Sequence, residues 1–321
     1  MRALRITAFA LVFLVSMLAL PLAGVAQALT AGTITQYHLP MSNAGPDGIT
    51  RGPDGNLWFT ETSGQKIGRI TSSGHLTEFS LPGQLYPSDI TRGPDGNLWF
   101  TELIGNNIGR ITPTGHLTQF PIPTILSIPE GITTGPDGNV WFTESRANRI
   151  GRITPQGHIT EFALPSQNGS GPVAIVAGSD GNLWFGVGQA GPLGRITPQG
   201  QFSAFALPQG EAASGLTAGP DSNLWFTAEG QKNLVGRITP LGQITTFTLP
   251  QNSSPAAIAT GPDGNLWFTA TSQGIGRVTP QGQVTAFSLP NITSSGITSG
   301  GPGLVWFTNS AANTVGNITT G

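Results

Sequence analysis

Cysteine is absent from the 321-residue chain, so it can form neither a disulfide framework nor a thiolate metal site. Charged residues are also scarce, at 9% of the chain, and lysine occurs only at Lys66 and Lys232. No run of Lys or Arg provides the basic surface with which proteins usually bind nucleic acid. These absences exclude a disulfide-stapled scaffold and argue against a nucleic-acid partner.

Long apolar runs are missing too, except at the N-terminus. Arg2 and Arg5 precede an apolar stretch at 6–20, which ends in the small-residue phrase AGVAQA. This pattern is typical of a secretory signal peptide with cleavage after residue 28, and the stretch is short for a membrane span. We therefore expect a signal peptide at 1–28, a single domain at 29–321, a secreted or extracytoplasmic location and no membrane contact after cleavage.

One phrase recurs along the rest of the chain, typified by GPDGNLWFTE at residues 52–61. It contains every tryptophan, and successive tryptophans are 39 to 43 residues apart. A fixed period of this length indicates a repeat architecture. The seven tryptophans are Trp58, Trp99, Trp141, Trp184, Trp225, Trp267 and Trp306.

Each period reads as four short strands. In residues 48–82, the segments GITR, LWFT, IGRIT and LTEFSLP are rich in β-branched residues or alternate between apolar and polar. Between the first two segments, Pro53, Asp54 and Gly55 have the conformational preferences of a tight hairpin turn. The period therefore predicts a four-stranded antiparallel unit.

The fourth-strand phrase, xTxFxLP, is out of phase with the tryptophans. Its first copy, at 34–40, precedes the first tryptophan phrase, and no copy follows the last tryptophan unit at 297–319. The predicted fold class is all-β: a seven-bladed β-propeller of four-stranded antiparallel blades, with the ring closed by the N-terminal strand. Closure removes exposed sheet edges that would otherwise promote aggregation.

Residues common to all or most repeats are assigned to architecture. We expect the tryptophans to fill the seams between blades and the aspartates of the GPDG phrase to shape the turn. The arginine of IGRIT is expected to stack and to hydrogen-bond between blades rather than to bind a ligand. These arginines are Arg69, Arg110, Arg152, Arg195, Arg237 and Arg277.

Function is expected where the blades differ. The loop before each innermost strand and the loop after LWFT lie on the same face of the ring, and in the first three blades both loops are acidic. Such carboxylates would bind a cation or a positively charged ligand group, or they are exposed loop residues retained by the repeat. Asp47 and Glu130, near the axis, are the pair expected to share a ligand. The candidate ligand-binding residues are Asp47, Glu61, Glu102, Glu130 and Glu144, with Asp89 in the same acidic half.

Three histidines, His75, His116 and His158, recur in turns on the opposite face, near the rim. Equivalent rim positions on adjacent blades are roughly 15 Å apart, because four strands are spaced by about 4.8 Å. Zinc ligands must lie about 2 Å from the metal. These histidines are therefore not expected to form a metal site, and the sequence leaves any other metal site undefined.

The repeat phrase GITxGPDGNLWFTE, followed by NxIGRIT and ITEFxLP, resembles the virginiamycin B lyases, also called streptogramin B lyases. The similarity extends from residue 33 to about residue 319 and is especially close at 148–165. The resemblance implies Mg²⁺-assisted elimination that opens a cyclic depsipeptide at its ester. It also implies a histidine before the innermost strand of each of the last two blades, a glutamate in the last blade and a tyrosine in the first.

The chain departs from that pattern at every one of these positions. Ala256 replaces the histidine of the sixth blade, and Asp47 replaces the tyrosine of the first. Loss of a general acid or base typically costs about 10²–10⁴ in rate. In the last blade the substituted positions are Thr293, Ser295, Thr308, Asn309 and Ser310.

Two hypotheses follow. In the first, the protein is an exported, monomeric and non-catalytic module that binds a small molecule, peptide or glycan at the mouth of the propeller. In the second, it is a carbon–oxygen lyase or related hydrolase with a relocated acidic site, in which Mg²⁺ would be implied by the family resemblance alone. The missing histidines favour the first hypothesis.

Overall fold

The computed structural model describes residues 30–165, 171–189, 191–271, 273–289, 292–293 and 296–321. The predicted signal peptide lies outside these residues, and no membrane-spanning helix occurs among them. Every element of regular structure among these residues is a strand. The strands are β1 (Ile34–His38), β2 (Pro46–Arg51), β3 (Leu57–Glu61), β4 (Lys66–Ile70), β5 (Leu76–Ser80), β6 (Pro87–Arg92), β7 (Leu98–Glu102), β8 (Asn107–Ile111), β9 (Leu117–Pro121), β10 (Pro129–Thr134), β11 (Val140–Glu144), β12 (Arg149–Ile153), β13 (Ile159–Ala163), β14 (Pro172–Ala177), β15 (Leu183–Val187), β16 (Leu193–Ile196), β17 (Phe202–Phe205), β18 (Glu211–Ala218), β19 (Leu224–Gly230), β20 (Leu234–Ile238), β21 (Ile244–Thr248), β22 (Pro255–Thr260), β23 (Leu266–Ala270), β24 (Gly274–Val278), β25 (Val284–Ser288), β26 (Ile297–Gly301), β27 (Leu304–Asn309) and β28 (Thr314–Thr319).

The strands form seven four-stranded antiparallel sheets, which are the blades of a propeller. Blades one to six take consecutive strands, beginning with β2–β5. The seventh blade has the order β1-β28-β27-β26, and β1 pairs with β28 from Ile34 opposite Ile318 to His38 opposite Thr314. The predicted fold class, including closure by the N-terminal strand, is confirmed.

The GPDG turn is fixed by hydrogen bonds as well as by backbone preference. The Gly52 amide donates to the Asn56 carbonyl at 2.8 Å, and Gly55 has a φ of 80°. Asp54 Oδ1 also accepts a hydrogen bond from Trp58 Nε1 at 3.0 Å, a contact that has an equivalent in each of the first six blades. Each turn thus holds the indole that packs behind it.

The tryptophans lie in the seams between blades, as predicted. Trp58 is fully buried and packs on Leu98 and Phe100 of the next blade. Arg69 lies over its ring, with Cζ 5.5 Å from the centroid, and donates from Nη1 to the Pro113 carbonyl of the next blade at 3.1 Å. The predicted stacking and interblade role of the arginines is confirmed.

The innermost strands are tied together by the threonine that follows WF. In the third blade, Thr143 Oγ1 accepts a hydrogen bond from the Gly131 amide at 2.9 Å and donates to the Val173 carbonyl of the fourth blade at 2.8 Å. The fourth blade has Gly186 at this position. These ties fix the inner strands around the axis, where the candidate site lies.

Candidate functional site

The seven innermost strands surround a cavity of about 310 Å³ on the propeller axis. Its wall is acidic on one side, where blades one to three contribute Asp47, Asp89 and Glu130. On the other side the wall consists of small and mostly apolar side chains, including Val173 and Ala256. The lopsided acidic mouth that the sequence predicts therefore has a structural counterpart, with these three carboxylates on one wall.

Asp47 is held at the start of the first inner strand, β2. Thr308 of the seventh blade donates to its backbone carbonyl at 2.6 Å, and Ser88 Oγ of the second blade donates to Oδ2 at 3.3 Å. Asp47 thus lies where three blades meet, which limits the positions its carboxylate can take.

Asp89 occupies a position where the other six blades have only glycine or alanine: Gly48, Gly131, Ala174, Gly215, Ala257 and Gly296. Its Oδ1 accepts the amide hydrogen bond of Ile90 at 2.8 Å, and its Oδ2 accepts that of Ile132 at 3.0 Å. Burial raises the pKa of Asp89 to about 7; these two hydrogen bonds oppose the increase, and the charge of Asp47 adds to it. A carboxyl with this pKa exchanges its proton near neutral pH.

Glu130 is anchored on the other side of Asp89. Its Oε1 accepts a hydrogen bond from Ser145 Oγ at 2.7 Å, and Ser145 Oγ also contacts the Ile128 carbonyl at 3.1 Å. Asp47 and Glu130, the predicted pair, line the same cavity with Asp89 on the strand between them. Sequence analysis did not select Asp89 as a ligand-binding candidate, although its contrast with glycine and alanine in every other blade was a usable signal.

The other three predicted residues, Glu61, Glu102 and Glu144, do not line the cavity and are not exposed loop residues. Each is the last residue of the second strand of its blade, with a side chain that is 0% exposed. The strand alternates, so Glu61 shares a face with Leu57 and Phe59, which pack on the seventh blade. The expectation of exposure is wrong because the strand continues one residue beyond the threonine.

The three buried glutamates differ in their hydrogen-bond partners. Glu102 is fully satisfied, since Gln119 Nε2 donates to both of its oxygens and Asn107 Nδ2 donates to Oε2, all at 2.9 Å. Burial raises the pKa of Glu102, and these amide hydrogen bonds oppose that increase. Neither oxygen of Glu61 or of Glu144 has a hydrogen-bond partner of ordinary geometry among the described residues.

Their titration follows from this burial. The pKa of Glu61 is raised to about 7, chiefly by desolvation and also by the charge of Glu78, while the charge of Lys66 opposes the increase. Desolvation raises the pKa of Glu144 to about 8; the neighbouring Glu161 adds to the increase, and Ser127 and Arg149 oppose it. Both glutamates are best described as buried acids inside blades, separate from the mouth.

The carboxylate oxygens at the mouth do not form a dedicated Mg²⁺ site, because most of them already accept hydrogen bonds from the protein. Both oxygens of Asp89 accept backbone amides, and Ser145 occupies Oε1 of Glu130. Across the described part of the chain, no three His, Cys, Asp or Glu side chains are grouped so that they could hold a metal ion. The turn histidines His75, His116 and His158 are all exposed.

In the last two blades, the positions that the family resemblance marks as catalytic carry no acid or base where the structure describes them; in the first blade, Asp47 stands at the tyrosine position. Ala256 lines the cavity on the sixth inner strand. Asn309 is fully buried, and its Oδ1 accepts the backbone amides of Thr293 and Ala312, both at 3.2 Å. Ser295 lies outside the described residues. Asn309 therefore braces a loop rather than facing the cavity.

Comparison with known proteins agrees with this fold. A virginiamycin B lyase from Staphylococcus aureus has 37% identity to this chain and a TM-score of 0.85, with 89% of this chain and 99% of that chain covered. A catalytically inactive histidine-to-alanine variant of the S. aureus enzyme, solved with quinupristin, matches at the same identity and TM-score. A virginiamycin B lyase from Bacillus licheniformis is 44% identical over 43 residues, which are 13% of this chain and only 15% of that protein.

The model of the virginiamycin B lyase family matches residues 23–186 and 166–321, and thus every residue that the structure describes. The match covers the inner strands that carry the acidic wall and those in which the family's histidines are replaced. By sequence and by structure, this chain belongs to the virginiamycin B lyase family.

Proposed function

We propose that this chain is an exported propeller that binds a ligand at the acidic wall of its central cavity and does not catalyse the lyase reaction of its relatives. The observation that carries the proposal is the composition of the cavity wall. Asp47, Asp89 and Glu130 lie on one side, and none of the described residues that line the cavity is a histidine.

The chemistry of the wall favours a ligand with a cationic group. Three carboxylates from adjacent blades line a cavity whose opposite wall contains small residues such as Ala174 and Ala256. An ammonium or guanidinium group would gain charge-assisted hydrogen bonds on the acidic side. A small molecule, peptide or glycan with such a group fits the roughly 310 Å³ of the cavity.

Loss of the lyase reaction rests on the sixth and seventh blades. One S. aureus relative becomes catalytically inactive when a histidine is replaced by alanine. In this chain, Ala256 stands where the resemblance calls for a histidine, and Asn309 is buried in loop hydrogen bonds. An imidazole base with a carboxylate partner is therefore missing from the described part of these blades.

A second candidate function is favoured by the position of Asp89, which lines the cavity and whose burial raises its pKa to about 7. A carboxylate with a pKa near neutrality can act as a general base. Asp89 would then act as the general base of a carbon–oxygen lyase or a related hydrolase. It would do so from the side of the cavity opposite Ala256, which stands at the position of the family's histidine.

A lyase assay distinguishes the two candidates. The purified protein without residues 1–28 would be incubated with quinupristin and Mg²⁺, and the products separated by chromatography with fragmentation mass spectrometry, because ring-opening elimination leaves the mass unchanged. We expect intact quinupristin. A linear product that disappears in Asp89→Asn would contradict the binding proposal and establish the relocated site.

Export has its own test. Expression of the full chain in a bacterial host with a general secretory pathway should yield extracytoplasmic protein that begins at residue 29, as determined by intact mass. Retention of residues 1–28 on a membrane-bound product would contradict cleavage.

A further inference from the structure

Three large apolar side chains are exposed on the two loops that follow β7 and precede β10. Ile104, Ile125 and Leu126 are 68%, 80% and 65% exposed, respectively. Large hydrophobic side chains are seldom left this open in a cluster unless they bind something. We refer to these three side chains as the apolar knob.

The knob is on the same end of the propeller as the mouth. Ile104 follows β7, whose last residue pairs with Pro87 at the start of the second inner strand. Ile125 and Leu126 precede β10, the third inner strand. Leu126 is four residues before Glu130, so their Cα atoms are at most about 14 Å apart.

The two loops that form the knob are locked together by Asn106. Its Nδ2 donates to the carbonyls of Ile122 and Thr124, at 3.2 and 3.0 Å. Its Oδ1 accepts from the amide and the hydroxyl of Ser127, at 2.8 and 2.9 Å. One side chain of the 103–106 loop therefore closes the 122–127 loop upon itself.

A second clamp comes from the outer strand of the third blade. Glu161 accepts hydrogen bonds from the amide and the hydroxyl of Thr124, both at 3.0 Å. Leu126 and Ile128 are held at φ of 54° and 52°, which is unfavourable for side chains of this size. The matching residues in the first and sixth blades, Asn43 and Gly45 and then Asn252 and Ser254, also have positive φ, so this loop conformation belongs to the repeat, and the third blade differs in placing large apolar side chains on it. The loop is fixed in a form that turns Ile125 and Leu126 outward.

The geometry points to a linear peptide segment as the occupant, with a basic side chain in the cavity and an apolar side chain on the knob, two to four residues apart. The basic side chain is inferred from charge complementarity with Asp47, Asp89 and Glu130. The spacing between the two side chains is inferred from the distance of at most about 14 Å between the Cα atoms of Leu126 and Glu130. This inference rests on the proposed binding function and specifies its ligand. Peptide specificity of this kind comes from pockets or surfaces for separate side chains.

The test uses three blocked tetrapeptides: acetyl-Phe-Gly-Gly-Lys-amide, acetyl-Ser-Gly-Gly-Lys-amide and acetyl-Phe-Gly-Gly-Gln-amide. Their affinities for the protein without residues 1–28 would be measured by isothermal titration calorimetry. We expect the Phe/Lys peptide to bind about tenfold more tightly than the Ser/Lys peptide, which reflects partial burial of one aromatic side chain. Replacement of Lys by Gln should weaken binding to a similar degree.

Variants separate the two halves of the site. The double substitution Ile125→Ser with Leu126→Asn should abolish the preference for Phe and keep that for Lys; asparagine tolerates the positive φ of residue 126. Leu241→Ser is the matched control, because Leu241 is 89% exposed in a turn at the opposite end of the propeller. It should leave both preferences intact.

The outcomes distinguish this inference from the function on which it rests. Equal binding of the Phe/Lys and Ser/Lys peptides would show that the apolar knob does not bind the peptide, while the proposal of a cation-binding mouth would stand. No preference for Lys over Gln would overturn the cationic specificity as well. Knob-dependent binding to phosphatidylcholine vesicles without any peptide preference would identify a lipid surface as the occupant and overturn the inference.

Discussion

Tyr37 of the N-terminal strand stacks on Trp306 of the last blade, with ring centroids 5.7 Å apart and planes 10° from parallel. The same tyrosine lies against Gly74 of the first blade, where a Cβ atom would be 2.2 Å from its ring. Tyr37 therefore joins three segments: the strand that closes the ring and the first and last tryptophan units. The ring has no covalent closure, so this contact matters for stability.

Replacement of Tyr37 by alanine should lower the free energy of unfolding by about 2 kcal/mol, since a half-buried aromatic ring and its stacking are lost. Urea denaturation followed by tryptophan fluorescence measures the change. Val284→Ala, on the exposed outer strand of the sixth blade, is the control and should shift the free energy of unfolding by less than about 0.5 kcal/mol. Equal midpoints for the two variants would show that β1 contributes little to closure.

Glu144 should make the protein less stable as pH rises. Its folded pKa of about 8 lies above the usual value of 4.5, so the folded state binds the proton more tightly. Stability from this group is complete below pH 4.5 and declines as pH rises toward 8, by on the order of 3–4 kcal/mol between pH 5 and pH 8. Glu144→Gln should flatten this decline in urea melts at several pH values.

Glu102→Gln is the contrasting variant. Its carboxylate accepts amide hydrogens from Asn107 and Gln119, so a glutamine would set one NH₂ group against another. We expect Glu102→Gln to destabilise the protein by about 1–3 kcal/mol at pH 7. A Glu144→Gln variant with the same pH slope as the parent protein would assign the decline to other groups, with Glu61 first among them.

Asp89 should make ligand binding depend on pH. A cationic peptide requires the carboxylate form, and burial raises the pKa of Asp89 to about 7. The affinity for acetyl-Phe-Gly-Gly-Lys-amide should therefore rise roughly tenfold from pH 6 to pH 8, while the lysine stays charged. Calorimetry with Asp89→Asn should give a nearly flat profile, and an unchanged slope would place the titrating group elsewhere.

Replacement of Gly186 by threonine, the residue at this position in the other blades, should destabilise the protein. Threonine follows WF in every other blade, yet a Cβ atom at Gly186 would be 2.7 Å from the Ala213 carbonyl oxygen. Gly186→Thr is therefore expected to destabilise the protein by about 1–3 kcal/mol, because backbone must shift to admit it. A rise in the urea midpoint would mean that the fourth and fifth blades separate easily enough to accept the threonine.

The sequence alone was enough to predict the ring. The tryptophan period, the phase of the fourth-strand phrase and the turn chemistry of Pro53, Asp54 and Gly55 all act within one repeat, and repetition of a local unit leaves few global arrangements. The interblade role of arginines such as Arg69 also followed, because one residue type recurs at one strand position in six blades.

Only the tertiary structure decided which carboxylates meet. Glu61 and Glu130 look equally accessible in sequence, but strand length and side-chain alternation bury the first and place the second in the cavity. The clash at Gly186 likewise depends on the approach of a neighbouring blade's backbone. Local periodicity determines the frame because it is set within each repeat, whereas a site between blades depends on distances that no single repeat contains.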